Sequence, residues 1–294
     1  MSFDFLIDIA SDDDTAYAFL QERHCIRHAT PKCIFCDRVM TWVKTGRGRD
    51  LTWRCPEHKS RKVRARSGSF WQNSQLSYSK LLQLAFFWSH SIQNKTCEEF
   101  TGLQNKTVIQ WYQYFRNVCS HYLIQNPIMI GGPGVNVELD VPLMAKKRYN
   151  KGHLVPERRV FGGVCPDTQE GFLVLVPDSE ATTLLPLIQE HVHPGSIIHT
   201  DGSASYKSIS KMNVEPPYIH HTDNPDDPIK DVCINYVENY LTKAKNKFKT
   251  MCGIQGNFVD SYLDEFQWRE RFGNTGMDAF NNLLLHISQW YPTP

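Results

Sequence analysis

From Ser77 to Tyr122, apolar residues recur at three- and four-residue steps. Tyr78, Leu81, Leu82, Leu84, Ala85 and Trp88 predict a helix opened by a Ser77 or Ser79 cap. Thr96 to Gly102 predicts a short helix stopped by its glycine, and Asn105 opens a third helix behind an Asn cap. Helix, short helix, glycine turn and helix outline a helix-turn-helix, although a plain three-helix core fits the same spacing. Asn126-Pro127 through Gly131-Gly132-Pro133-Gly134 is turn-rich and marks a domain boundary.

Beyond the boundary the period shortens. Val135–Val141 alternates as a strand. Arg159–Cys165 and Gly171–Pro177 predict two more strands, joined by a turn. Ala181–Val192 reads as a helix, Ser196–Asp201 as a buried strand and Tyr218–His221 as a weaker strand. Val237 to Met251 reads as a helix carrying Lys243, Lys245, Lys247 and Lys249. This order is mixed α/β. No apolar run approaches the ~18 residues of a membrane span. The start Met1-Ser2-Phe3-Asp4 carries acid where a secretory signal carries base.

Charge changes the picture only when it is resolved by position. The whole chain sums to +1. Residues 1–22 hold six acids and no Lys or Arg, and Asp12-Asp13-Asp14 reads as part of an acidic tail. Arg23 to Trp71 holds thirteen bases against three acids. The near-zero total therefore does not exclude a nucleic-acid partner. Nine cysteines, an odd number, fit a reducing compartment. Cys97, Cys119, Cys165 and Cys252 read as small buried hydrophobes, and the seven tryptophans as core residues.

Cys33-Ile34-Phe35-Cys36 and Cys55-Pro56-Glu57-His58 are two close ligand pairs. A β-like loop joins them, Val39–Val43 and Leu51–Arg54 across Gly46-Arg47-Gly48. Four tetrahedral N/S ligands suit one structural zinc ion in a zinc ribbon. His58 competes with His24, Cys25 and His28 for the fourth place. Lys59, Arg61, Lys62, Arg64 and Arg66 follow at once and form a candidate phosphate-contacting surface.

Asp140 sits inside the first predicted strand, Asp201 ends a later one, and Glu238 lies at the start of the basic helix. Acids placed so can converge on divalent cations and support phosphodiester chemistry. Spacing alone is weak support, because the chain has 31 acids from which to choose.

The ordered motifs resemble the DDE transposase domain of the Merlin superfamily and its bacterial insertion-sequence relatives. The matching stretches are Glu138-Leu139-Asp140, Lys146–Gly152, Val160–Val164, Phe172–Asp178, Thr183–Ile188, Ile198–Gly202 with Tyr206, Asn235–Glu238 and Tyr262–Arg269. Thirty-six residues separate Asp201 from Glu238, the spacing expected of that family. The resemblance implies an α/β, RNase H-like mixed-sheet core preceded by a zinc ribbon and a helix-turn-helix-like segment. It divides the chain into a leader at 1–23, ribbon at 24–71, helix-turn-helix at 76–125, core at 135–272 and tail at 273–294.

By the same resemblance, Asp140, Asp201 and Glu238 hold two Mg²⁺ or Mn²⁺ ions and serve DNA cleavage and strand transfer. Lys146, Lys147 and Arg148 contact phosphates. His221 supports the site, touches DNA or is a plain surface histidine. The implied partners are transposon ends, target DNA and further copies of the chain, with no membrane. The implied location is nuclear in a eukaryote and otherwise cytoplasmic. Val141-Pro142, Leu143 and Ala145 depart from the family pattern beside the first acid. They leave an alternative, a domesticated DNA-binding descendant without transposition activity.

Overall fold

The computed structural model describes residues 2–43, 51–145, 148–150, 153–155, 158–200, 219–221, 235–250 and 258–294. The chain forms two compact units: Met1–Tyr122 with Trp268–Pro294, and Leu123–Gln267.

The first unit opens on helices α1 (Ser2–Ile9) and α2 (Asp13–Glu22). Here the structure differs from the acidic tail expected of Asp12-Asp13-Asp14. Leu6, Ile9, Ala16, Tyr17 and Leu20 lie on helical faces and are buried. The acids serve these helices. Asp12 caps α2 by accepting the Asp14 and Thr15 N–H groups at 2.9 Å. Those hydrogen bonds, the Thr15 backbone bond foremost, hold its carboxyl below the ordinary value. Asp13 accepts the Ser79 N–H at 3.0 Å.

Strands β1 (Thr41–Val43), β2 (Thr52–Arg54) and β3 (Lys62–Arg64) make an antiparallel sheet, so part of the basic run is itself a strand. Helix α3 (Tyr78–Ser89) starts where Ser77 accepts the Lys80 N–H. Helix α4 (Asn94–Thr101) stops at Gly102, whose φ of +67° suits a residue without Cβ. Helix α5 (Asn105–Gln125) follows. Helix, short helix, glycine turn and helix thus stand in the expected order, which a helix-turn-helix and a plain three-helix core share. Trp71, Trp88 and Trp111 are buried in this unit as core residues.

In the second unit β4 (Asn136–Asp140) is central. Short strands β5 (Leu143–Ala145), β6 (Arg148–Asn150) and β7 (His153–Val155) precede the long β8 (Arg158–Val164) and β9 (Gly171–Val176). Helix α6 (Ala181–His191) leads to β10 (Ile197–His199), and β11 (Ile219–His221) comes next. Helices α7 (Asn235–Thr250) and α8 (Val259–Phe272) complete the unit, with α8 running on into the first. Helix α9 (Gly276–Trp290) belongs to the first unit, where Phe280, Leu283, Leu284 and Ile287 are buried. A stretch expected to be a tail thus carries a helix with an apolar face.

The main sheet runs β9-β8-β4-β10-β11, with β5 also pairing with β8. β8 is antiparallel to β4 and β9, while β10 is parallel to β4 and β11. An antiparallel meander followed by two parallel crossovers is an RNase H-like core. Its two faces pack separate clusters. Val137, Leu139, Phe161, Phe172 and Ile198 meet Leu184 and Ile188 of α6. Val160, Val164 and Leu173 meet Val237, Tyr240, Leu241 and Ala244 of α7.

Candidate active site and metal centre

Side chains alternate across a strand, so residues two apart share a face. Val137 and Leu139 therefore enter the core on the α6 side. Glu138 and Asp140 take the opposite face, toward α7. Glu138 is only 2% exposed. Its carboxylate accepts the Tyr236 N–H at 3.1 Å and the Val237 N–H at 3.5 Å. These are first-turn amides of α7, which have no partner within their own helix. A side chain from β4 thus caps a helix that follows almost a hundred residues later. The positive end of the α7 dipole favours a carboxylate at this position.

Glu238 is the next residue of that first turn and is exposed. Asp140 is half-buried at the end of β4, and its Oδ1 accepts the Val141 N–H at 2.6 Å. Burial pushes Glu138 up to about 7. The Tyr236 and Val237 amides pull it back, and the negative charges of Asp140 and Glu238 push it further. Asp140 and Glu238 thus both disfavour the charge on Glu138 at the junction of β4 and α7. Asp140 and Glu238 are hard oxygen donors of the kind a divalent metal takes.

Asp201, Lys146 and Lys147 lie outside the described residues. Arg148 opens β6 and His221 closes β11. β10 lies beside β4 with His199 opposite Glu138, and His199 Nε2 pairs with Asn136 Oδ1 at 3.0 Å. On α7, Lys243 is exposed while Lys245 and Lys247 are half-buried. Glu138 belongs to the Glu138-Leu139-Asp140 motif, which by itself assigns it no role. Its signal was the two-residue spacing to Asp140 within one strand.

The metal-ligand group assembles in the first unit. One ligand atom from each of Cys33, Cys36, Cys55 and His58 lies within 4.8 Å of every other. Cys36 Sγ and Cys55 Sγ are 3.6 Å apart. His58 Nδ1 stands 3.7 Å from Cys33 Sγ and 3.8 Å from Cys55 Sγ. Four ligands on ~2.3 Å bonds give a tetrahedral edge of about 3.8 Å, so this group is spaced for zinc. The Phe35 N–H leads the contacts that lower the Cys33 thiol to about 6, which favours the thiolate a metal needs.

Of the candidates for the fourth place, His58 is the one that stands with Cys33, Cys36 and Cys55. His24 and His28 pair with each other, Nδ1 to Nδ1 at 3.3 Å. Cys25 is fully buried, its Sγ donates to the Leu284 carbonyl at 3.3 Å, and burial pushes its thiol up to about 12.

Of the basic run, Lys59, Arg61, Lys62 and Arg64 are exposed. Arg61 also lies over the Phe35 ring, 4.3 Å from its centroid. Arg66 departs from the expected phosphate surface. It is 2% exposed, donates from Nη1 to the Ser74 carbonyl at 3.2 Å and lies 4.1 Å from the Tyr78 ring centroid. Strand β3 ends at Arg64, and the turn after it carries Arg66 into the core.

Residues 143–271 match the ISXO2-like transposase domain. A Haemophilus influenzae protein described as an uncharacterized transposase-like protein is 32% identical over 116 residues, 40% of this chain and 91% of its own length. The chain belongs to the DDE transposase family. In this transposase the matched domain begins at Leu143, just past Asp140, and includes Asp201 and Glu238. Solved structures similar to it include the catalytic core of BIV integrase, at 14% identity over 48% of this chain and 86% of that one, with a TM-score of 0.34. The HTLV-2 integrase catalytic core with magnesium is 12% identical over 48% of this chain and 88% of that one, with a TM-score of 0.33.

Proposed function

We propose that the chain is a Merlin-type DNA transposase that cleaves and rejoins DNA strands at a three-carboxylate site made by Asp140, Asp201 and Glu238. The observation that carries this reading is the β4–α7 junction, where Glu138, two residues before Asp140, accepts the Tyr236 and Val237 N–H groups that immediately precede Glu238. Two bound Mg²⁺ or Mn²⁺ ions would supply Lewis-acid charge to the attacking and leaving oxygens of a phosphodiester. Asp140 and Glu238 present carboxylate oxygens from a rigid strand and a rigid helix, which suits positioning as the main source of rate. Lys59, Arg61, Lys62 and Arg64 present exposed cations for a phosphate backbone. In α5 the exposed residues Lys106, Gln110, Tyr114 and Asn117 share the outer face of the third helix, where a helix-turn-helix reads bases. The site at Cys33, Cys36, Cys55 and His58 would hold one structural zinc ion. Assembly of two or more copies on paired DNA ends follows from the strand-transfer reaction itself.

The test is strand cleavage. Purified protein with Mn²⁺ or Mg²⁺ and a duplex carrying the element's end should yield a nicked product. Asp140→Asn, Asp201→Asn and Glu238→Gln should each abolish that product while leaving duplex binding intact. Salt-dependent binding without nicking by the unsubstituted protein would replace this reading with the domesticated DNA-binding one.

A further inference from the structure

We propose that Glu138 is a positioning residue of the active site: from β4 it pins the first turn of α7 and so fixes where Glu238 stands relative to Asp140. The inference rests on the metal-holding role given above to Asp140 and Glu238.

Three observations carry it. Glu138 shares a strand face with Asp140, two residues on, so one rigid strand carries both. Both of its carboxylate oxygens are engaged by α7 amides, Oε2 by Tyr236 and Oε1 by Val237. Those amides immediately precede Glu238 in the chain. On the same turn, Val237 is fully buried and packs close over Gly162 of β8, where an added Cβ would stand 3.0 Å from Val237 Cγ1. The turn is therefore held at two points, one polar and one apolar. Glu238 itself is exposed. Glu138 is spent on backbone amides, which makes it a holder of the ligand set instead of a member of it.

The relation is that of an outer partner to a metal ligand. Loss of such partners costs about ten- to hundredfold in metal affinity or activity. Reach and charge can be separated by substitution. Glu138→Gln keeps the length and one acceptor oxygen. Glu138→Asp keeps the charge but is one methylene too short to meet α7. Glu138→Ala loses both.

The experiment is a Mn²⁺ titration of the full chain, read by electron paramagnetic resonance. Thermal unfolding and duplex binding are measured on the same samples. Positioning predicts that Glu138→Gln, which keeps the reach and one of the two amide bonds, weakens Mn²⁺ binding less than Glu138→Asp or Glu138→Ala. Glu138→Asp and Glu138→Ala should weaken Mn²⁺ binding by about tenfold or more, and strand nicking should recover at high Mn²⁺. If Glu138→Ala does not fold, the Gln and Asp pair decides. The reverse order, with Asp tolerated and Gln as damaging as Asp140→Asn, would make Glu138 a ligand and overturn the proposal. So would a folded Glu138→Asp with unchanged affinity. If Asp140→Asn and Glu238→Gln themselves leave Mn²⁺ binding intact, the metal-site reading fails first and takes this inference with it.

Discussion

Trp268 donates its indole N–H to Nδ1 of His286 across 2.8 Å, in the buried interior of the first unit. An indole nitrogen can only donate, so Nδ1 must accept and the imidazole proton sits on Nε2. Tyr122 stacks on the same ring with centroids 3.6 Å apart. Protonating Nδ1 would break the hydrogen bond and bury a charge, and burial lowers His286 to about 4.

The fold should therefore lose stability in acid through this residue. An unfolded histidine takes up its proton near pH 6.5, whereas the folded one resists until about pH 4. Between those values the unfolded state binds more protons, so stability falls as pH falls. At about 1.4 kcal/mol per unit, the loss reaches roughly 3 kcal/mol at the acid end. Glu, Asp and other histidines titrate too, so the measurement is a difference. Unfolding midpoints of the parent and of His286→Gln, whose amide oxygen can still accept from Trp268, should converge between pH 6.5 and 4.

Gly163 should tolerate no side chain. A Cβ there would strike the Phe172 ring and stand 2.7 Å from Leu139 Cδ2. Both neighbours are fully packed in the α6-side core, so neither can retreat. Gly163→Ala should cost about 1–3 kcal/mol by overpacking. Denaturant unfolding monitored on the isolated protein would show it as a lower midpoint with an unchanged slope.

Much of this fold could be read from the pattern, and the exceptions share a cause. Helices α3 to α6 and strands β4, β8, β9 and β10 carry their periods in plain sight. Helices α1 and α2 do not, because the acids of residues 1–22 draw attention from Leu6, Ile9, Tyr17 and Leu20. The ribbon ligands were legible because chelation demands short spacing, and the chain must supply both members of a pair locally. Glu138 was not, because its role exists only once α7 returns to β4. Arg66 was misplaced for a similar reason. A run of cations does not say which member turns inward, and that is decided by the distant Tyr78 ring.

Zinc should prove structural. The parent chain should bind about one zinc ion, and Cys33→Ser or Cys55→Ser should release it. The three strands of the ribbon are short, and β1 is largely exposed, so little apolar burial would remain to hold them. Metal content by mass spectrometry, with unfolding in the presence of a chelator, checks both halves. A Cys25→Ser chain, by contrast, should keep its zinc, because that thiol faces the Leu284 carbonyl.

The basic run should split into two behaviours. Lys59, Arg61, Lys62 and Arg64 are exposed, and each phosphate contact they make releases condensed counterions. Arg61→Ala or Lys62→Ala should therefore reduce the slope of log affinity against log salt by about 0.9 if that side chain meets one phosphate. Arg66 should behave otherwise. Its guanidinium lies over Tyr78 and bonds the Ser74 carbonyl, so Arg66→Ala removes a buried cation–π contact and a hydrogen bond. The expected loss is about 1–3 kcal/mol of stability, with the salt slope unchanged at temperatures where the chain stays folded. Measuring both quantities on each variant separates the roles. A salt slope reduced by Arg66→Ala without loss of stability would return Arg66 to the DNA surface from which its burial removes it.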